Sequence, residues 1–264
     1  MNHMDRDQMH YDMIGQGDKT VVFLHGFGGF GKMWAWQVSD LSSLARLIVP
    51  DLPGHGESLW HGESLADIAD EIRAILDQEG IDQAFFVVSS FGGLVALTFQ
   101  ENYPDRVRGL SFVGSVPRFT ADVGYSAALD ADKIRKLAQQ LEKDLPTTLD
   151  MFFRSLFTRS ERESLQYGLI KGLRRKAPLP RREALLTFLD ILATVDLRPV
   201  LGRVDVPVQF ILGESDPLCP QALIGPLQAL CSKAMFHVGE GSGHFPFLTR
   251  PDDVNILLKE FMGL

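Results

Sequence analysis

The sequence predicts an α/β fold: a mostly parallel central sheet flanked by helices, with an inserted helical lid. Three observations carry this. Short β-branched and aromatic runs alternate with helical patterns in the first 116 residues and again from Val206. One of those runs, Phe85-Phe86-Val87-Val88-Ser89, turns sharply through Ser90 into a helix entered at Gly92-Gly93. After Pro117 the alternation stops and only helical patterns follow. The expected organisation is therefore a core in two parts, 1–116 and 194–264, with a lid over 117–193.

Taken in order, residues 8–13 read as an edge strand and Gly15 to Asp18 as a turn. Thr20–Leu24 is a compact β-branched strand that ends in the glycine-rich His25-Gly26-Phe27-Gly28-Gly29-Phe30-Gly31. Trp34–Leu44 reads as a helix and Ala45–Val49 as a strand, followed by the turn-rich Asp51-Leu52-Pro53-Gly54-His55-Gly56-Glu57-Ser58. Ser64 is placed to cap a helix over Leu65–Gln78, whose Leu65, Ile68, Ala69, Ile72, Ile75 and Leu76 recur at helical spacing. The helix after Ser90 runs to about Asn102, before Pro104, and Val107–Gly114 is a further strand.

In the lid, residues 130–145, 147–157, 161–176 and 181–193 read as helices separated by proline and Thr/Ser punctuation. Phe152, Phe153, Leu156, Phe157, Leu185, Phe188 and Leu189 are candidates to face a pocket, where a phenylalanine lining favours an apolar acyl chain. Beyond the lid come a strand at Val206–Leu212 and a helix near Gln221–Leu230. A strand at Ala234–Val238 and a final helix at Asp252–Phe261 complete the core.

Hydrophobic residues at 45% and charged residues at 23% describe a soluble globule. No run is long enough to cross a membrane, and the polar Met1–Asp12 is unlike a signal peptide. Cys219 and Cys231 are too few for a disulfide framework, which points to the cytoplasm. A net charge of -8 argues against a nucleic-acid partner. The charge is uneven, however. Residues 118–190 carry 14 Lys/Arg against 10 Asp/Glu, so an acidic chain bears a basic lid, either a steering surface or a solvated helical face.

The chemistry lies at the strand ends. A serine between a hydrophobic strand and a helix opened by glycines is a nucleophile elbow. Ser90 is the candidate because Gly92 stands two residues on; Ser89 is the alternative, and Val88 occupies the position usually held by glycine. Asp216 follows the strand–Gly213 end, with Glu214 as its local rival, and His244 sits in the loop Gly239–Phe247. Serine, acid and histidine in that chain order form a triad suited to ester cleavage, because a neutral serine hydroxyl needs a base to become nucleophilic. The backbone amides of Phe27 and Phe91 are expected to form an oxyanion hole. The loop at 25–31 lacks the Gly-Lys-Ser/Thr end of a phosphate loop, and His55, in a glycine-bounded turn, reads as structural sooner than as a base. No histidine outside this set has metal-ligand spacing: His3 and His10 stand in the N-terminal stretch. Neither metal nor cofactor is expected.

These motifs identify the chain as resembling the α/β-hydrolase superfamily over essentially its full length. More closely it resembles the pimeloyl-[acyl-carrier protein] methyl ester carboxylesterases of bacterial biotin synthesis. The likeness rests on His25-Gly26-Phe27-Gly28, Asp51-Leu52-Pro53-Gly54-His55-Gly56, Ser90-Phe91-Gly92-Gly93-Leu94-Val95-Ala96, Pro104-Asp105-Arg106-Val107 and His244-Phe245-Pro246-Phe247. The most particular stretch is Thr194-Val195-Asp196-Leu197-Arg198. The resemblance implies release of methanol from a pimeloyl methyl ester on an acidic acyl-carrier protein. Phe27, Phe152, Phe153, Phe157 and Phe188 are the candidates to bind that substrate's acyl chain. Arg154, Arg159, Arg162, Lys171, Arg174, Arg175 and Lys176 are the candidates to meet the carrier. Val88-Ser89 stands where that family has Gly-Trp, and Phe27 where tryptophan is common. Two other readings remain: a general short-chain carboxylesterase or other hydrolase (of a lactone or a carbon–carbon bond), and a non-catalytic ligand-binding protein on the same fold.

Overall fold

The computed structural model describes residues 9–264, so His3 and residue 8 of the expected edge strand lie outside the described residues. Seven strands form one sheet: β1 (Tyr11–Ile14), β2 (Thr20–Leu24), β3 (Arg46–Pro50), β4 (Ala84–Ser89), β5 (Val107–Val113), β6 (Val208–Gly213) and β7 (Met235–Gly239), in the order β1-β3-β2-β4-β5-β6-β7. Only β1 is antiparallel. β2, β4 and β6 are buried at every residue, which explains why they read as unbroken apolar runs. Val88, at the position usually held by glycine, pairs in register with Leu24 and Phe112 and is fully buried.

Alternate strand residues feed two apolar layers. Val22, Phe86, Phe112 and Phe210 join α2 (Leu65–Gln78) and α3 (Gly92–Asn102) on one face. Val21, Phe23, Phe85 and Ile211 join α1 (Ala35–Leu41) and the C-terminal Pro251–Met262 helix on the other. The expected helix at Trp34–Leu44 is shorter, because a 3₁₀ turn at Gly31–Trp34 precedes α1.

Between β5 and β6 lie the lid helices α4 (Ala131–Lys143), α5 (Leu145–Ser155), α6 (Arg159–Arg162), α7 (Leu165–Arg174) and α8 (Arg182–Thr194), followed by the short α9 (Arg198–Leu201). Two expected boundaries differ. Pro146 stands inside the first turn of α5, where its missing N–H is not needed, and Asp144 caps the helix by accepting from the Thr147 N–H. The single helix expected over 161–176 is split: Thr158 caps α6 through a capping box with Glu161, and Ser164 caps α7. The two ends of the lid are tied at its base. Asp196 pairs with Arg118 at 2.8 Å and Arg198 at 2.6 Å, and the Leu197 N–H donates to the Pro117 carbonyl at 3.0 Å. The Arg198 guanidinium holds the Asp196 carboxyl well below the ordinary carboxylate range. This clasp accounts for the Thr194–Arg198 stretch.

α10 (Ile224–Leu230) and α11 (Pro246–Thr249) precede the last helix, α12 (Pro251–Met262). Among the described residues, no helix is long and apolar enough to cross a membrane.

Candidate active site

Ser90 is the one non-glycine residue with positive φ, +52°, among the described residues. That conformation is disfavoured for an L-residue and is kept here by the bonds around it. The Ser90 carbonyl accepts from the Ser115 hydroxyl at 2.6 Å and the Gly93 N–H at 2.9 Å, while its own N–H donates to Val113 at 3.3 Å. Gly92 is required by proximity: a β-carbon there would lie 2.8 Å from the Leu24 carbonyl oxygen. The turn therefore presses Ser90 against the end of β2.

β6 and β7 deliver the other two groups. His244 Nδ1 lies 2.9 and 2.8 Å from the two carboxylate oxygens of Asp216, and both side chains are fully buried. Asp216 Oδ1 also accepts from the Leu218 and Cys219 N–H groups at 2.8 and 3.0 Å, which fixes the carboxylate. With Nδ1 facing the acid, Nε2 is the buried imidazole nitrogen without a partner among the described residues, and His244 lines the same cavity as Ser90. Glu214, the rival acid, is on the surface and accepts from the Gly241 N–H at 2.7 Å. Ser89 lines a separate pocket of about 10 Å³ behind the glycine loop.

That loop crosses directly over the serine. A β-carbon on Gly26 would fall 2.8 Å from the Ser90 β-carbon, so Phe27 follows immediately beside the hydroxyl. Among the described residues, neither the Phe27 nor the Phe91 amide is committed to a hydrogen bond. Two neutral histidines shape the loop. His25 Nε2 accepts from the Leu52 N–H at 2.9 Å, and His55 Nε2 accepts from the Gly28 N–H at 3.2 Å. Their Nδ1 atoms lie 2.9 Å from the Gly26 carbonyl and 3.0 Å from the Pro53 carbonyl. Burial lowers both pKa values, that of His55 to about 3 with help from the neighbouring His25. His55 is thereby structural, as expected.

The cavity at Ser90 is narrow, about 40 Å³, and apolar. Of the five phenylalanines expected there, Phe27 and Phe152 line it. Phe153 and Phe157 pack instead with Phe245 and Tyr167 in the opposite apolar layer. Neighbouring residues of a helix point about 100° apart, so Phe152 and Phe153 serve different sides of α5. Phe188 is stacked on Phe91 at 3.9 Å and on His55 at 5.0 Å, beneath the site. The lining that sequence reading missed comes from Phe119, Leu129, Ile134, Leu137, Leu192 and Leu218. α4 supplies two of these, and its apolar stripe was the available signal.

Leu129, Ile134, Leu137, Phe152, Leu156 and Leu218 also line a wider groove of about 730 Å³ between α4 and α5. The two cavities adjoin through these six shared residues, and the groove's charged lining is Lys133, Lys136, Lys143 and Asp144. The expected basic residues lie elsewhere. Arg154, Arg162 and Lys171 border a separate polar hollow with Asp150. Arg159 pairs with Glu163 at 3.0 Å, and Arg175 and Lys176 are exposed beyond α7. Arg174 is half-buried, with its guanidinium 3.8 Å over the Phe153 ring and its pKa lowered by burial.

Asp216, Cys219 and His244 bring possible metal-ligating atoms within 4.8 Å of one another. They do not suit a metal as they stand: His244 Nδ1 is engaged by Asp216, and burial raises the Cys219 thiol well above its ordinary range, which keeps it protonated.

A sheet of this order with a strained serine at a strand–helix turn, facing a carboxylate-bound histidine, defines a class. The chain belongs to the α/β-hydrolase family, whose description "alpha/beta hydrolase fold" matches residues 19–251. It is a carboxylic ester hydrolase of the serine-hydrolase type, related along nearly its whole length to curated esterases. It is 33% identical over 257 residues to the pimeloyl-[acyl-carrier protein] methyl ester esterase of Yersinia enterocolitica, covering 96% of this chain and 97% of that one. To the protein of the same name from Sodalis glossinidius it is 32% identical, covering 91% and 92%. Among solved structures, an esterase from Exiguobacterium antarcticum superposes with a TM-score of 0.87 at 23% identity, over 97% of this chain and 96% of that one. An enol-lactonase from Burkholderia xenovorans gives 0.86 at 20%, with the same coverage. At these identities the structures show the shared fold.

Proposed function

We propose that this enzyme hydrolyses the methyl ester of a pimeloyl group borne on acyl-carrier protein, with Ser90, His244 and Asp216 as its triad. The observation that carries the reading is the six apolar residues shared by the Ser90 cavity and the wider groove between α4 and α5, whose lining includes Lys133, Lys136 and Lys143. An acyl chain tethered to a large acidic partner needs such a path, with apolar walls inside and positive charge at the mouth. The esterases related over nearly the whole chain bear the matching name. On this reading the basic contacts of the carrier are first Lys133, Lys136 and Lys143. Arg154, Arg159, Arg162, Lys171 and Arg175 form a flanking surface on the far side of α5.

In the reaction, His244 Nε2 takes the Ser90 proton as Oγ bonds to the ester carbonyl carbon. The Phe27 and Phe91 amides receive the oxyanion, each worth roughly 3 kcal/mol in such sites. Asp216 holds the imidazole orientation and favours the transient imidazolium. Methoxide leaves with the proton from His244 as methanol, and water, activated by the same histidine, releases the free carboxylate and restores Ser90. The free Cys219 and Cys231, both buried, fit a reducing cytoplasm, and this product would serve biotin synthesis.

The first test is covalent. A fluorophosphonate should label wild type at Ser90, read by peptide mass spectrometry, and Ser90→Ala should lose at least about 10⁴-fold in kcat while keeping its fold. Labelling at Ser89, or turnover by Ser90→Ala, would overturn the assignment. A short-chain carboxylesterase is the second reading, favoured by the small volume beside Ser90. Faster cleavage of a soluble butyrate than of the carrier-bound ester would select it.

A further inference from the structure

Glu161 is a buried carboxylate, 9% exposed, on the lid helix α6. It closes the capping box with Thr158, whose N–H donates to it at 2.7 Å. Its other bonds leave the lid. The Gly243 N–H donates to both oxygens at 3.1 and 3.0 Å, and the Thr249 hydroxyl donates to Oε1 at 2.7 Å. Gly243 immediately precedes His244, and Thr249 ends α11, which follows it. No lysine, arginine or histidine nitrogen lies within 4.0 Å of the carboxylate among the described residues, so N–H and O–H donors balance its charge.

Two more bonds run between the same segments. The His244 N–H donates to the Leu156 carbonyl at the end of α5, at 2.8 Å, and the Thr158 hydroxyl donates to the Gly241 carbonyl at 3.3 Å. Both N–H groups of the Gly243–His244 pair therefore terminate on the lid. Asp216 orients the ring of His244 from the core, but its backbone is held by residues 156–161.

We infer that Glu161 is a positioning residue of the catalytic histidine, and that the α5–α6 junction is a fixed part of the catalytic apparatus and not a moving flap. The inference rests on the triad reading above. The imidazole has one carboxylate anchor, and a tilt of its backbone moves Nε2 relative to the serine. Displacements of about 1 Å in such constellations cost on the order of 100-fold in rate. Glu161→Gln is the incisive substitution: it keeps the shape but turns one acceptor into an NH₂ donor, which in either amide orientation faces the Gly243 N–H.

The experiment compares wild type, Glu161→Gln, Thr249→Val and Ser90→Ala on a short p-nitrophenyl ester. Rates of wild type, Glu161→Gln and Thr249→Val are normalised to sites titrated by a fluorophosphonate, that of Ser90→Ala to protein concentration, and melting is followed alongside. Glu161→Gln should lower kcat and the labelling rate together by about 10- to 100-fold, with KM changed by less than about threefold. The far-downfield proton NMR signal of the His244–Asp216 bond should shift or broaden in parallel. Thr249→Val, which removes one donor and leaves the carboxylate, should lower kcat by about 2- to 5-fold and serves as the deciding variant if Glu161→Gln does not fold. A lowered melting temperature with wild-type kcat per titrated site would overturn the inference. So would Thr249→Val at wild-type rate where Glu161→Gln does not fold. Ser90→Ala separates the two levels: turnover there defeats the triad itself, whereas an inactive Ser90→Ala beside an unaffected Glu161→Gln defeats only the role of Glu161.

Discussion

The two halves of the lid do different work. One half, α4 with the facing side of α5, packs on the apolar layer shared by α2, α3 and α8, and leaves between its helices the groove that shares six lining residues with the Ser90 cavity. The other half, the far side of α5 with α6 and α7, packs on the layer shared by α1, α11 and α12 and is hydrogen-bonded to the histidine loop. A single inserted segment thus straddles both faces of the sheet. α5 lies at the boundary: Phe153 is buried in the second layer, whereas Phe152 touches both layers and lines the Ser90 cavity. The lesson is that one inserted segment can line the Ser90 cavity and also hold the backbone of the Gly243–His244 loop.

The adjacent phenylalanines give the sharpest way to break this comparison. Phe153→Ala removes a buried ring that touches Phe157, Phe245 and the Arg174 guanidinium, and should cost about 3–5 kcal/mol of stability by denaturant unfolding. Phe152→Ala, at a half-buried position lining the cavity, should cost less stability and raise KM for long acyl esters over short ones. Equal destabilisation with no change in chain-length preference would erase the distinction between the two sides of α5.

Charge reversal sharpens it further. Lys133→Glu combined with Lys136→Glu should reduce kcat/KM for the carrier-bound ester by about 10-fold or more and weaken its salt dependence. The small ester should remain within about twofold. Arg154→Glu with Arg162→Glu, on the other half, should have the smaller effect on the carrier-bound ester. The reverse ranking would move the carrier to the α6–α7 face.

The smallest expected effect lies at His55, in the 51–58 turn that supports the glycine loop through the Gly28 N–H. His55 has its pKa lowered to about 3 by burial and by His25, against 6.5 for an ordinary histidine. A lowered folded value means the unfolded chain binds the extra proton. The stabilisation from neutral His55 is therefore complete above about pH 6.5 and is lost as pH falls toward 3. His55→Gln retains an acceptor for Gly28 and a donor for Pro53 but does not titrate. The gap in melting temperature between wild type and this variant should narrow on acidification from pH 7 to pH 4. A gap independent of pH would show that His55 acts by packing alone.

Much of this was legible in the sequence, for identifiable reasons. The central strands are buried on both faces and so read as short apolar blocks, and Ser90 and Asp216 stand out because each follows such a block. His244 instead follows the partly exposed edge strand β7 and stands out by its place after them in chain order. The faces of the lid helices were not legible. α5 is apolar on two sides, and periodicity alone does not say which of Phe152 and Phe153 meets the cavity. Nor does charge composition separate a cation lining a groove, such as Lys136, from one stacked on a ring, such as Arg174. Thr158-Arg159-Ser160-Glu161 carried a local signal, the capping box that starts α6. Its bond to Gly243, 82 residues away in the chain, exists only in the folded molecule.

The most direct measurement is kcat/KM for pimeloyl-acyl-carrier-protein methyl ester beside that for a short p-nitrophenyl ester, under one buffer and with Ser90→Ala as the blank. A strong preference for the carrier-bound ester, lost in Ser90→Ala, is the predicted result. Equal or better use of the small ester would contradict the carrier assignment and leave the lysine-lined groove without the partner proposed for it.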